Sequence, residues 1–401
     1  MGRFRTHFLM NHEEVKEYVL EQVDLFDEKV NLSVTEIGDG NINYVFLVKD
    51  LESGKSVVLK QADKVLRSFS GRALDIERNK IEAEALTLQY SLVPKYVPEI
   101  YAYDEIMAVL IMEDISAFKN LRYELENQLI FPKFADDIST FLVQTLLSTT
   151  DLILKPQIKK ERVRQFINSH MCDISEDLVF TEPYNDYKNR NIISKENQKF
   201  VEKYLYQNEV LIGEVGKLRN NYMNNAQSLL HGDLHSGSIF INQEGMKVID
   251  PEFAFYGPMG YDIGNVIGNL FFPLIKTEMY EGSSQFTQWL RETISQIIDL
   301  VKEKLIREFN KQVTLDIYLN SYFIENYIDE VISDTLGYVG TEIIRRTIGD
   351  ARVREVATAP VGEKRVQMER NLLLLGSELI LKRHEIKSGA ELLNLYDLIK
   401  E

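Results

Sequence analysis

The chain has 401 residues, a length that fits two domains or lobes better than one core. Its composition, 44% hydrophobic and 27% charged, is ordinary for a globular protein and argues against long disorder. A formal charge of −16 works against nucleic acid or an anionic membrane surface as partner, and one cysteine, Cys172, excludes an intramolecular disulfide.

No apolar run reaches membrane-span length, and Phe8-Leu9-Met10 is too short for a secretory signal. Met1 to Thr6 matches the loose acylation pattern, a match short enough for chance to explain. These readings lead us to expect a cytoplasmic protein. Cys172 has no local base and reads as an inert thiol.

Residues 11–26 carry Val15, Tyr18, Val19, Val23 and Phe26 at helical spacing, with Asn11 and Glu14 as a start signal. Strands follow at Ile42 to Val48 and Ser56 to Lys60, joined by a polar turn around Ser53-Gly54. A helix is expected over Asp75 to Tyr90, then strands at Glu99 to Tyr103 and Ala108 to Met112. The order predicts an α+β unit on an antiparallel sheet.

Beyond Glu113-Asp114 the segments become long and helical, among them Phe134 to Leu154, Phe286 to Phe309 and Val366 to His384. The lone tryptophan, Trp289, falls on one of these and reads as core. Residues 229–256 break the trend with a short hairpin, Phe240-Ile241-Asn242 and Met246 to Ile249 about Gln243-Glu244-Gly245.

At the two ends of that hairpin stand His231-Gly232-Asp233-Leu234-His235 and Asp250-Pro251-Glu252. Phosphoryl transfer to a hydroxyl needs the hydroxyl held in line, the developing charge neutralised and a metal fixed. Asp233 would orient the acceptor and take its proton. Asp250 and Glu252 would hold Mg²⁺, which prefers carboxylate oxygen. His231 and His235 have a spacing that suits zinc on a helix, but Gly232 weakens a helix there.

The run His231 to Asp233 resembles the catalytic loop of protein kinases and aminoglycoside phosphotransferases, with Gly232 where protein kinases carry arginine. Asp250-Pro251-Glu252, and the longer run Ile249 to Gly264, resemble the methylthioribose kinase family. The resemblance runs from Gly38 to Arg346 and implies a bilobal protein-kinase-like fold. A nucleotide lobe would span 1–112 and a helical catalytic lobe 113–401. It implies ATP and Mg²⁺ as cofactors, a homodimer, and phosphorylation of the sugar's 1-hydroxyl in methionine salvage. It also implies a structural role for His231.

Several further residues take roles from the resemblance. Gly38, Asp39, Gly40 and Asn41, an ordinary turn when read alone, become a phosphate-cradling loop. Lys60, which alone could be a snorkelling edge residue, becomes the α/β-phosphate lysine, with Glu82 or Glu84 as its partner. Glu84 is preferred because its distance from Val97-Pro98 is like that in aminoglycoside phosphotransferases. Glu113, Asp114 and Ile115 resemble a hinge that reads adenine through its backbone.

Arg345-Arg346 would bind the sugar, although neighbours on a helix diverge by about 100° and need not face one target. Ser238 stands where kinases usually place a metal-binding asparagine. Asp262 is expected to anchor the catalytic loop. Other acceptors (aminoglycoside, choline, homoserine, fructosamine) and a non-catalytic pseudokinase remain the competing readings.

Overall fold

A computed structural model describes residues 3–27, 30–37, 43–63, 76–280 and 282–400. The Gly38 to Asn41 turn, and with it Gly38, Asp39, Gly40 and Asn41, lies outside the described residues.

Helix α1 spans His12–Gln22 and opens with the expected cap. Asn11 Oδ1 accepts the Glu14 N–H at 3.1 Å and Glu14 Oε2 accepts the Asn11 N–H at 2.8 Å, so two orphan donors are satisfied reciprocally. The sheet contains β1 (Leu32–Glu36), β2 (Asn43–Asp50), β3 (Ser56–Ala62), β4 (Ile100–Asp104) and β5 (Val109–Glu113). It is antiparallel throughout, in the order β1-β2-β3-β5-β4. Strand β1 was missing from the sequence reading. Helix α2, Glu77–Leu92, crosses between β3 and β4.

Strand alternation divides the sheet's two faces. On β3 and β5, Val57, Leu59, Val109 and Ile111 pack with Tyr18 and Val19 of α1 in one core. Val58, Leu110 and Met112 point the other way, into a second core continuous with the helical lobe. Lys60 shares the parity of Val58 on the central strand, so its ammonium emerges on the lobe-facing side.

The chain then passes through β6 (Lys119–Asn120) and α3 (Leu121–Glu126) to α4 (Phe134–Leu147). Long helices follow at Gly260–Met279, Ser284–Gln312, Ser321–Ile348 and Glu363–Lys382. Trp289 is 9% exposed and stacks on Phe286. The hairpin forms as Ile239–Ile241 against Met246–Val248, and β6 adds a third strand to it.

One helix crossing positions the site. The Gly260–Met279 helix lies so close to Ser321–Ile348 that a Cβ on Gly264 would sit 2.8 Å from the Thr335 carbonyl oxygen and the Val339 nitrogen. Only glycine allows that approach. The first helix thereby brings Asp262, and the second brings Arg345 and Arg346, to the same catalytic loop.

Candidate active site

The loop at His231–Asp233 is fixed from below. Asp262 accepts the N–H of His231 at 2.6 Å and of Gly232 at 3.0 Å, as expected. His231 Nε2 lies 2.8 Å from the Ile249 carbonyl oxygen, which ties the loop to the far strand of the hairpin. Gly232 has φ +86°, and a Cβ there would stand 2.2 Å from the Phe253 carbonyl oxygen. Both reasons exclude the arginine that protein kinases carry.

Asp233 sits among cations. Its Oδ1 accepts from Arg346 Nη2 at 2.9 Å and from Arg345 Nη2 at 3.2 Å. The two arginines converge in spite of their angular separation because Glu342, one turn earlier and fully buried, bonds both guanidinium groups, and Asn269 bonds Glu342 at 2.8 Å. Burial raises the Asp233 carboxyl, but His235, Arg346 and Arg345 outweigh it and hold the group well below the usual carboxylate range.

At the hairpin's other end Asp250 has φ +63°, an uncommon conformation for a residue with a Cβ, of a kind that gathers at functional sites. Its carboxylate takes Lys60 Nζ at 2.5 Å, and Lys60 also bonds Glu82 Oε1 at 2.8 Å. Glu82, not Glu84, is therefore the lysine's partner. Glu84 accepts from Gln165 instead, on another side of α2. The reason is phase: Glu82 lies on the buried stripe that runs from Arg78 through Leu86 and Gln89, and Glu84 lies about 200° round the helix from it.

Burial raises the Glu82 carboxyl and Lys60 pulls it back down, while the Lys60 proton is held firmly by Asp250 and Glu82 in spite of burial. Glu252 is raised by burial and opposed by Lys60 and Arg78.

Arg78 was not foreseen. It is 2% exposed, and it bonds Glu252 Oε2 at 3.1 Å and Asn43 Oδ1 at 2.7 Å. It thus links α2, the metal motif and the start of β2. The signal for it, a charged residue one turn before Glu82 on the buried stripe, is visible only once that stripe is known. Glu342 was missed for the same reason.

The donor set suits Mg²⁺. Asp250 and Glu252 offer hard carboxylate oxygen beside Lys60. Among the described residues no group of three or more metal-ligating side chains converges, whereas Mg²⁺ commonly takes one or two carboxylates with phosphate and water. Ser238 donates its hydroxyl to the Asp233 main-chain carbonyl at 3.2 Å, so it braces the loop. His231 and His235 are likewise turned inward, and His235 Nδ1 accepts the Gly237 N–H at 2.9 Å.

At Glu113 and Asp114 the side chains are engaged within the protein. Glu113 pairs with Lys247 at 3.0 Å, and Asp114 accepts from Ser56 at 2.6 Å and from the Ser116 N–H at 2.9 Å. The Glu113 N–H goes to the Glu99 carbonyl at 2.8 Å. Cys172 lies apart from these groups, and burial pushes its thiol up to about 12.

Comparison with known proteins bears on this geometry directly. The model of the phosphotransferase enzyme family matches residues 33–292. A methylthioribose kinase of Bacillus pumilus (strain SAFR-032) is 34% identical over 376 residues, covering 94% of this chain and 93% of its own. The chain belongs to the methylthioribose kinase family.

Another member, from Geobacillus sp. (strain WCH70), is 35% identical over 381 residues, covering 94% of this chain and 92% of its own. Among solved structures, choline kinase from Cryptosporidium parvum Iowa II superposes with a TM-score of 0.50 at 15% identity, covering 95% of this chain and 99% of that one. That likeness is one of fold. The methylthioribose kinase fold here is the expected protein-kinase-like one, and the chain is a kinase. No helix among the described residues is long and apolar enough to cross a membrane.

Proposed function

We propose that the chain transfers the γ-phosphoryl group of ATP to the 1-hydroxyl of S-methyl-5-thioribose, a step of methionine salvage. The observation that carries this reading is the carboxylate of Asp233 held between Arg345 and Arg346, in a chain whose relatives of similar length are methylthioribose kinases.

Asp233 orients the sugar hydroxyl and takes its proton as the bond to phosphorus forms. Arg345 and Arg346 turn their remaining N–H groups to the sugar and to charge that develops during transfer. Lys60, held by Glu82, binds the α- and β-phosphates, a task that Gly38, Asp39, Gly40 and Asn41 share in this reading. The Ile115 N–H reads adenine, and Glu113 and Asp114 hold the hinge in shape. Asp250 and Glu252 would hold Mg²⁺, which neutralises charge on the phosphates. The lobe boundary falls at 112/113. The resemblance supports a homodimer and the composition supports a cytoplasmic location, and sedimentation tests the first.

A cationic acceptor such as choline fits poorly beside paired arginines. Measuring ADP release over a panel of methylthioribose, ribose and choline tests the reading. Methylthioribose should exceed ribose by about 10- to 200-fold in kcat/KM, the worth of a small apolar group in a fitted pocket. Equal use of the two sugars, or a preference for choline, overturns the substrate.

A further inference from the structure

Arg122, the second residue of α3, belongs to none of the motifs, yet it stands beside the catalytic loop. Its Nη2 is 3.4 Å from His235 Nδ1. It lies so close over the Ser236–Ser238 turn that a Cβ on Gly237 would come within 2.6 Å of it. Arg346 is near enough to oppose its charge. Three guanidinium groups therefore gather on the acceptor side of Asp233.

Their counter-charges are unequally shared. Asp233 and Glu342 bond Arg345 and Arg346. Among the described residues no carboxylate oxygen lies within 4.0 Å of the Arg122 guanidinium. Glu355 and Asp233 act on it only from beyond ion-pair distance, and burial raises the Glu355 carboxyl. His235 offers Arg122 only a ring nitrogen, Nδ1, and no negative charge. A half-buried cation without a paired carboxylate is costly to keep, and an incoming anion repays that cost where a paired arginine would gain little.

We propose that Arg122 is the phosphate-binding arginine of the acceptor side: it holds the phosphoryl group after transfer and distinguishes the sugar phosphate from the free sugar. The inference rests on the sugar-kinase reading above. In the transfer the bond between the γ-phosphorus and the β–γ bridging oxygen breaks and the bond to the sugar oxygen forms. The hydroxyl proton goes to Asp233, and no further reactant is needed. Arg345 and Arg346 stay paired with Glu342, so Arg122 is the guanidinium without a paired carboxylate that can meet the new phosphate dianion. Arginine suits this task because its planar fork matches two phosphate oxygens.

The test is calorimetric titration of S-methyl-5-thioribose and, separately, of its 1-phosphate into the wild type, Arg122→Gln and Arg122→Lys. Arg122→Gln should weaken the phosphate by about 10- to 100-fold, the usual worth of hydrogen bonds to a charged group, and leave the free sugar nearly unchanged. Arg122→Lys, which keeps the charge and loses the fork, should recover part of the loss. Equal weakening of sugar and phosphate in both variants would mean that Arg122 only packs the loop, and no change in either would remove it from the site. Wild type that binds neither compound overturns the substrate reading and the inference together. Wild type that turns over the sugar, with phosphate affinity indifferent to Arg122, overturns the inference alone.

Discussion

Asp233, the proposed base, is held in its ionised form. Because His235, Arg346 and Arg345 keep its carboxyl well below the usual range, it stays ionised far into acid. The sign of the pH dependence follows: Asp233 itself should place no acid limb near its ordinary value of about 4 on kcat/KM. Removing one guanidinium, in Arg346→Ala, should let the Asp233 carboxyl rise, so an acid limb moves toward neutral pH. A pH profile of both enzymes checks this, and identical acid limbs would contradict it. Asp233→Asn removes the acceptor outright and should lower kcat by about 10²- to 10⁴-fold with ATP affinity little altered. Near-normal turnover in that variant would exclude Asp233 as base.

Helix α2 carries two buried charges one turn apart, Arg78 toward Glu252 and Glu82 toward Lys60. Its placement therefore bears on the metal motif and the phosphate lysine together. Glu82→Gln should raise KM for ATP and lower kcat, because Lys60 loses an ionic partner. Glu84→Gln should behave as wild type, since its carboxylate faces Gln165. Steady-state ATP kinetics on the pair decide between them, and the reverse ranking would restore Glu84. Arg78→Ala removes the hydrogen bond that orients Glu252, so Mg²⁺ should be needed at higher concentration, as in Glu252→Ala. If the two act through one contact, the double variant should be little worse than either alone, which a Mg²⁺ titration across the cycle measures.

The whole molecule hangs the catalytic loop between two crossing helices. Gly264→Val at the crossing forces side-chain atoms against the backbone at Thr335 and Val339, and overpacking of this kind costs about 1–3 kcal/mol. The melting temperature should fall. Sugar use should suffer more than ATP binding, because the helix that retreats is the one bearing Arg345 and Arg346. Calorimetry with separate ATP and sugar titrations tests this, and a variant with full stability and normal sugar affinity would show that the crossing does not set the site.

Much was legible in the linear chain because its signals are local. The capping box at Asn11, the apolar run Val57 to Leu59 that ends in Lys60, the hairpin between Asp233 and Asp250, and the helical tracts beyond Phe134 each depend on neighbours a few residues away. So does the motif spacing that points to phosphoryl transfer. What remained hidden depends on which side of a helix meets another element. Glu82 and Glu84 are equal as sequence, and only the packing of α2 against the sheet chooses between them. Strand β1 packs half-exposed at the sheet edge and carries little periodic signal. Arg78, Glu342 and Arg122 acquire meaning from residues far along the chain: Glu252, Asp233 with Asn269, and His235. Charge is read by its partners, and for buried charges the partners are set by tertiary packing.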